Sequence, residues 1–207
     1  MLIEYNKVMN LTGITELEQV YLKHFYDSLT ISKIIDLNKE ETLCDIGTGA
    51  GFPGMVLKIL FPNLKITLVD SLNKRIEFLK QVIKELNLKD IEALHIRAEE
   101  FAQNNREKYD VVTSRAVAPL NILLEYGIPI IKPNKYFIAY KANIVEESKN
   151  ALEKLNSKIE KIEKFNLPKE QSTRTLIKIK KIKPTSKKYP RKNSEIKNKP
   201  LWKKRKQ

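Results

Sequence analysis

Four of the six glycines in this 207-residue chain fall within eight residues, in the segment Asp45-Ile46-Gly47-Thr48-Gly49-Ala50-Gly51-Phe52-Pro53-Gly54. Glycine lets a backbone turn sharply and lets a ligand approach it closely, so this loop can seat a nucleotide-like molecule, with Gly47, Gly49 and Gly51 as expected contacts. An acid, Asp70, closes the apolar run that starts at Lys65, 21 residues beyond Gly49. At the end of a second strand its carboxylate is placed to accept both hydroxyl hydrogens of a ribose. The dinucleotide fingerprint reads G-x-G-x-x-G, with amides bared for a diphosphate. This loop reads G-x-G-x-G-x-x-G and carries Asp45 two residues before its first glycine. An acid there sits poorly beside a diphosphate. It suits the ammonium, or a water, at the cationic end of S-adenosylmethionine. The residues therefore favour a methyltransferase, with an NAD(P)-dependent oxidoreductase as the alternative.

Other side chains could share the chemistry. Arg115 ends the fourth β-prone run, where its guanidinium fork could hold a phosphate at the carboxyl edge of the sheet. Ala98 and Glu99 follow the third run, where a backbone amide could meet adenine and the carboxylate could cap a helix. His24 and Asp27, three apart, read as a hydrogen-bonded pair closing a cap over the pocket, or as a structural histidine. The chain has only two histidines, and His95, in a mostly apolar run, reads as structural, so no metal site is expected. The one cysteine, Cys44, lies within the first β-prone run and reads as a small core residue rather than a nucleophile.

These groups need a frame. Thr15-Glu16-Leu17-Glu18 predicts a capping box, with Thr15 as N-cap. Leu22, Phe25, Tyr26 and Leu29 then recur at helical spacing. From Thr42 onward β-prone runs (42–46, 65–69, 91–96, 109–114 and 135–140) alternate with helical segments near 54–61, 72–86, 99–105, 119–131 and 144–157. Such alternation implies a parallel sheet covered by helices on both faces. Residues 158–166 and 173–182 break it and suggest an antiparallel pair at the sheet edge. The second of them alternates apolar and basic residues, as a strand with one wet face does. Periodicity ends at Pro184, and the remainder reads as a flexible tail. The predicted divisions are a helical cap (1–36), a cofactor domain (37–182) and a basic tail (183–207).

Charge is segregated along this frame. Of 39 basic and 25 acidic residues, 15 basic and one acidic fall in 171–207, so the formal charge of +14 belongs entirely to that end. A polyanionic partner accounts for the segregation, and nucleic acid is the first candidate. Lys141, Arg191, Lys192, Lys199, Lys203, Lys204 and Arg205 are the expected phosphate contacts, and Tyr189 and Trp202 could stack on unpaired bases. The longest uncharged stretch, Ile46 to Leu57, is twelve residues, against the roughly 20 a membrane span needs. With no apolar leader and no disulfide framework, the chain reads as a soluble, cytoplasmic, monomeric protein.

Nearly the whole chain resembles the RsmG (GidB) small-subunit rRNA methyltransferases. The resemblance rests on Tyr5-Asn6-Lys7-Val8-Met9-Asn10-Leu11-Thr12, on His24-Phe25-Tyr26-Asp27-Ser28-Leu29, and on the glycine loop ending in Phe52-Pro53-Gly54. It continues through Asp70-Ser71-Leu72, Arg97-Ala98-Glu99-Glu100, Ser114-Arg115-Ala116, Tyr189-Pro190-Arg191 and Lys199-Pro200-Leu201. It implies an α/β, Rossmann-like class I fold dependent on S-adenosylmethionine, with a mainly parallel seven-stranded sheet. It also implies methylation of N7 of one guanine in the decoding region of 16S rRNA, and cofactor contacts at Gly47, Phe52, Ala98, Glu99 and Arg115. Guanine N7 has no proton to remove, so that reaction needs orientation and no general base, and Arg115 could pair with guanine O6 while N7 faces the donor. A methyltransferase of another RNA base and a non-catalytic ribosome-assembly factor are the nearest alternatives.

Overall fold

The computed structural model describes residues 1–115, 118–141, 148–171 and 173–201. Seven strands form one sheet: β1 (Thr42–Ile46), β2 (Lys65–Asp70), β3 (Ile91–His95), β4 (Tyr109–Arg115), β5 (Ile131–Lys141), β6 (Ser157–Asn166) and β7 (Thr173–Lys181). Their order is β3-β2-β1-β4-β5-β7-β6, with β7 antiparallel to both neighbours and the other pairs parallel. The order reverses between β1 and β4. In open α/β sheets, ligands bind at such a switch point, beyond the carboxyl ends of the strands.

Both faces of the central strands are dry. Leu43, Val111, Ile138 and Leu176 pack in one apolar cluster, while their chain neighbours Cys44, Val112, Phe137 and Ile177 pack in the other. Neighbouring side chains on a strand point to opposite faces, so β1, β4, β5 and β7 each supply both layers. Helices α4 (Gly54–Leu60) and α5 (Asn73–Glu85) cover one face; α6 (Ala98–Asn104), α7 (Leu120–Gly127) and α8 (Lys149–Lys154) cover the other. Cys44 is fully buried, as its apolar reading requires.

The cap is built from α1 (Leu2–Met9), α2 (Leu17–Val20), a π-helical turn (Tyr21–Tyr26) and α3 (Asp27–Leu29). Buried Asn6 ties its first turn together, donating to the Thr12 carbonyl and accepting the Thr12 amide, both at 2.8 Å. The expected capping box does not form. The residue before α2 is Glu16, without a side-chain cap, and Glu18 reaches Lys169 at 3.2 Å instead of turning back.

Three further expectations are corrected. The helix near 119–131 stops at Gly127, a short 3-10 turn (Ile128–Ile130) follows, and β5 starts at Ile131. A register shift against β4 lies in this early part of β5, where Asn134 has φ 68°, so a proline and a turn residue disguise the strand start. Strand β7 keeps one partly wet face, with Arg174, Lys178 and Lys180 half-buried, but its last lysine lies on the dry face: Lys181 has no exposed surface, and its Nζ donates to Ile128 and Ile131 carbonyls and to Glu107. Finally, residues 183–201 are folded, not loose. Arg106 donates to the carbonyls of Thr185 and Tyr189, and Tyr189, Ile196 and Leu201 join the core beside α7. A short helix, α9 (Asn193–Asn198), lies in this segment. Among the described residues no helix is long and apolar enough to cross a membrane.

Candidate active site

The switch point opens into a crevice of about 610 Å³, lined by Gly47, Thr48, Gly49, Ala50 and Phe52 from the glycine loop, by Asp70 and Arg115 from strand ends, and by Ala98 and Glu99 from the start of α6. The loop takes its shape from left-handed turns at Gly47 (φ 69°) and Gly49 (φ 60°). A Cβ on Gly49 would meet no atom within 4 Å, so the backbone conformation, not crowding, is what demands glycine there. Gly51 (φ 96°) combines a left-handed backbone with close packing, and Gly54 serves packing. A Cβ on Gly51 would sit 2.8 Å from Leu79, and one on Gly54 would sit 2.3 Å from Leu68. Gly51 is not among the crevice-lining residues, contrary to its assignment as a cofactor contact.

Asp45 also takes a different place. Its carboxylate has no exposed surface and accepts from Thr48 Oγ1 (2.7 Å), the Gly54 amide (2.9 Å) and Thr113 Oγ1 (3.1 Å). Burial pushes its pKa up, and those three donors oppose the rise. With both oxygens occupied behind the loop, Asp45 buttresses the turn and does not face the crevice. At sequence level a buttressing acid and a ligand-facing acid are indistinguishable.

Asp70 does line the crevice. Its Oδ2 accepts from the Gly49 amide (2.9 Å) and from Arg75 (3.3 Å), and its Oδ1 accepts from the Leu72 amide (2.9 Å). A carboxylate oxygen has two acceptor positions, so Oδ1 retains one, while a second incoming hydroxyl needs Arg75 to give way at Oδ2. His95, level with Asp70 on β3, contacts the Ser71 carbonyl at 3.1 Å and shapes the loop after β2.

Arg115 joins cap to crevice. Its Nη1 donates to the Lys23 carbonyl and to Asp27 Oδ2, both at 3.1 Å, and its Nη2 donates to His24 Nδ1 at 3.2 Å. His24 and Asp27 are thus linked through Arg115 and not bonded to each other. A guanidinium only donates, so Nδ1 accepts and the ring proton sits on Nε2, facing Thr12 Oγ1 at 2.7 Å. The imidazole stacks on Phe52, centroids 4.6 Å apart, and the guanidinium lies 5.3 Å from the same ring. Burial, then the charge of Arg115, lowers the His24 pKa to about 4, so the ring is neutral at pH 7. Burial raises the Asp27 carboxyl pKa, opposed by Arg115 and by Arg174 at 3.6 Å.

Several expected RNA contacts fall elsewhere. Tyr189 is 4% exposed and packed in the core, so it is no stacking platform. Arg191 grips fully buried Glu125 with Nε and Nη2, each at 2.7 Å, and is a structural ion pair. Lys192 and Lys199 are exposed. Lys141 pairs with Thr175 at the end of β5. Trp202, Lys203, Lys204 and Arg205 lie outside the described residues. Crevice residues not anticipated from sequence include Leu11, Thr12, Arg75, Tyr126, Asn193 and Lys197. Of these, Leu11 and Thr12 carried a signal, being part of the Tyr5–Thr12 motif. Among the described residues no cluster of three or more His, Cys, Asp or Glu could hold a metal ion.

The donor set discriminates between nucleotide classes. The amides of Gly47 and Thr48 donate to the Val69 carbonyl, those of Gly51 and Phe52 to the Thr48 carbonyl, and that of Gly49 to Asp70. A diphosphate finds these loop amides already engaged. An adenosine with a diol and a cationic sulfur fits the crevice: apolar walls at Ile46, Val69 and Ile96 flank the carboxylates of Asp70 and Glu99.

The family model for GidB, rRNA small subunit methyltransferase G, matches residues 1–177. Ribosomal RNA small subunit methyltransferase G from Bacillus subtilis is 50% identical over 198 residues, covering 93% of this chain and 83% of that protein. Among solved structures, a SAM-dependent methyltransferase from Aquifex aeolicus aligns with TM-score 0.58 at 16% identity, over 82% of this chain and 96% of that one. M. jannaschii TYW2 in complex with AdoMet gives TM-score 0.60 at 15% identity, over 76% of this chain and 75% of that one. At those identities the two structures speak to the fold.

Proposed function

Since the chain belongs to the RsmG (GidB) family of ribosomal RNA small-subunit methyltransferases, we propose that it transfers a methyl group from S-adenosylmethionine to N7 of a guanine in the decoding region of 16S rRNA. The observation that carries the reading is the crevice at the β1/β4 switch point, whose loop amides are internally bonded and whose Asp70 retains a free acceptor position. Bound there, S-adenosylmethionine supplies a methyl group already activated by a sulfonium charge.

The chain's own residues supply binding and orientation. Gly47, Gly49 and Phe52 shape the floor, Asp70 accepts a ribose hydroxyl, and Ala98 and Glu99 face the base. Guanine N7 presents a lone pair and loses no proton, so no general base is required, and neutral His24 serves to hold Arg115. Arg115 in turn orients the guanine or the donor at the carboxyl edge of β4. Its fork is fixed before substrate arrives, which lowers the entropy lost on reaching a reactive geometry. Residues 1–36 roof the crevice, 37–182 carry it, and the cations Lys141, Lys192, Lys199, Lys203, Lys204 and Arg205, with Trp202, hold rRNA. The enzyme acts as a monomer in the cytoplasm, where small subunits are assembled.

Calorimetry with S-adenosylmethionine and with NAD tests the cofactor; binding of NAD alone would sink this reading. Reverse-transcription mapping of N7-methylguanine in rRNA from cells with and without the gene tests the product. An unchanged map refutes the N7 assignment.

A further inference from the structure

The C-terminal segment forms part of the crevice itself. Helix α9 contributes Asn193 and Lys197 to its lining, and the Tyr126 hydroxyl of α7 donates to Asn193 Oδ1 at 3.0 Å. The segment is held from three sides. Arg106 donates to the Thr185 and Tyr189 carbonyls, Arg191 is clamped to buried Glu125, and Ile196 has no exposed surface. Asn193 is therefore positioned by an anchored scaffold, although its stretch of sequence is among the most basic and least periodic in the chain.

The bonding at Asn193 leaves a specific capacity. Its carbonyl oxygen is taken by Tyr126, while its amide nitrogen donates to no described group. Tyr126 remains a neutral donor, because burial and then the nearby charges of Glu99 and Glu125 push its hydroxyl up to about 12. The same crevice holds the acceptor carboxylate of Glu99. One amide donor and one carboxylate acceptor match the edge of an adenine, whose ring nitrogens accept and whose exocyclic amine donates.

We propose that Asn193, oriented by Tyr126, is a cofactor-binding residue at the base end of the crevice. The basic C-terminal segment is thereby a wall of the cofactor pocket as well as an RNA-facing element. The inference rests on the methyltransferase reading. It carries a consequence: cofactor binding stiffens the segment that presents Lys192, Lys197 and Lys199 to RNA, so each ligand favours the other.

The test uses the full chain and S-adenosylhomocysteine as probe. Calorimetry should show Asn193→Ala weakening affinity by about three- to tenfold, the loss of one neutral hydrogen bond, with an unchanged thermal melt. Should the alanine variant melt early, Asn193→Asp keeps the size, removes the donor and should weaken binding at least as much. Trypsin cleavage after the exposed Lys192 and Lys197 should slow when the probe is added to the native chain. Equal affinity in the native chain and a stably folded Asn193 variant overturns the proposal. A native chain that binds no S-adenosylhomocysteine removes the methyltransferase reading on which it stands.

Discussion

The His24 imidazole has no room for a second proton. Arg115 faces Nδ1 with N–H donors, so protonation there sets two donors against each other as well as two charges. The folded ring titrates at about 4 and the unfolded one at 6.5. Between these values the unfolded chain binds a proton that the folded chain refuses, so this group's contribution is intact above 6.5 and declines as pH falls toward 4. Asp27, whose pKa is raised, acts in the opposite sense at the acid end. Comparing denaturant midpoints of wild type and His24→Gln across that window isolates the ring, and the variant should show a shallower loss on acidification. Parallel profiles would mean the imidazole is not held neutral. Asp70→Ala should weaken S-adenosylhomocysteine binding by about 1–3 kcal/mol in calorimetry, through lost charge-assisted hydrogen bonds and a loosened Gly49. At this scale the glycine loop and Asp70 were legible, because turn chemistry is local. The Arg115 cluster was not, since Asp27 and Arg115 stand 88 residues apart and only the folded cap brings them together.

Among the elements, the segment from Thr185 to Leu201 departs most from its sequence pattern. Its lysines suggested a loose arm, yet the spaced apolar residues Tyr189, Ile196 and Leu201 are the ones that fold it back on α7. Burial of a few side chains outweighs the charge around them, because the lysine heads stay in water. The Arg191–Glu125 pair fixes the register. Removing Arg191 leaves an uncompensated buried carboxylate, so Arg191→Met should cost about 3–5 kcal/mol in chemical denaturation. Adding Glu125→Gln should recover a substantial part of that loss. A double variant no more stable than the single one would show that the carboxylate is not the strained partner. The alternation of strands and helices was legible from Thr42 onward, as were both antiparallel strands. Helix α2 was misjudged at its start because Glu18 found a partner, Lys169, in a distant loop. The start of β5 was hidden by Pro133 and the left-handed Asn134.

For the molecule as a whole, the charge imbalance and the fold answer different questions. Residues up to Glu170 carry equal numbers of acids and bases, and they include the five parallel strands and the glycine loop. The surplus cations follow them, and part of that surplus is structural, as Lys181 and Arg191 show. Removing 202–207 deletes four basic residues without touching the Tyr189, Ile196 and Leu201 anchors. That truncation should reduce the salt slope of RNA binding by about 3, if each cation neutralises one phosphate, and leave cofactor affinity intact. An unaltered slope would move the RNA interface off the terminus. Lys181 offers a different use of the same inventory. Its amine is enclosed by two carbonyls and a carboxylate, and burial lowers its pKa. An acylating reagent should modify exposed lysines such as Lys192 within the native protein and reach Lys181 only when β7 detaches from β5. The rate at which mass spectrometry finds that one tryptic site blocked would then clock the opening of the sheet, with no added dye or engineered label.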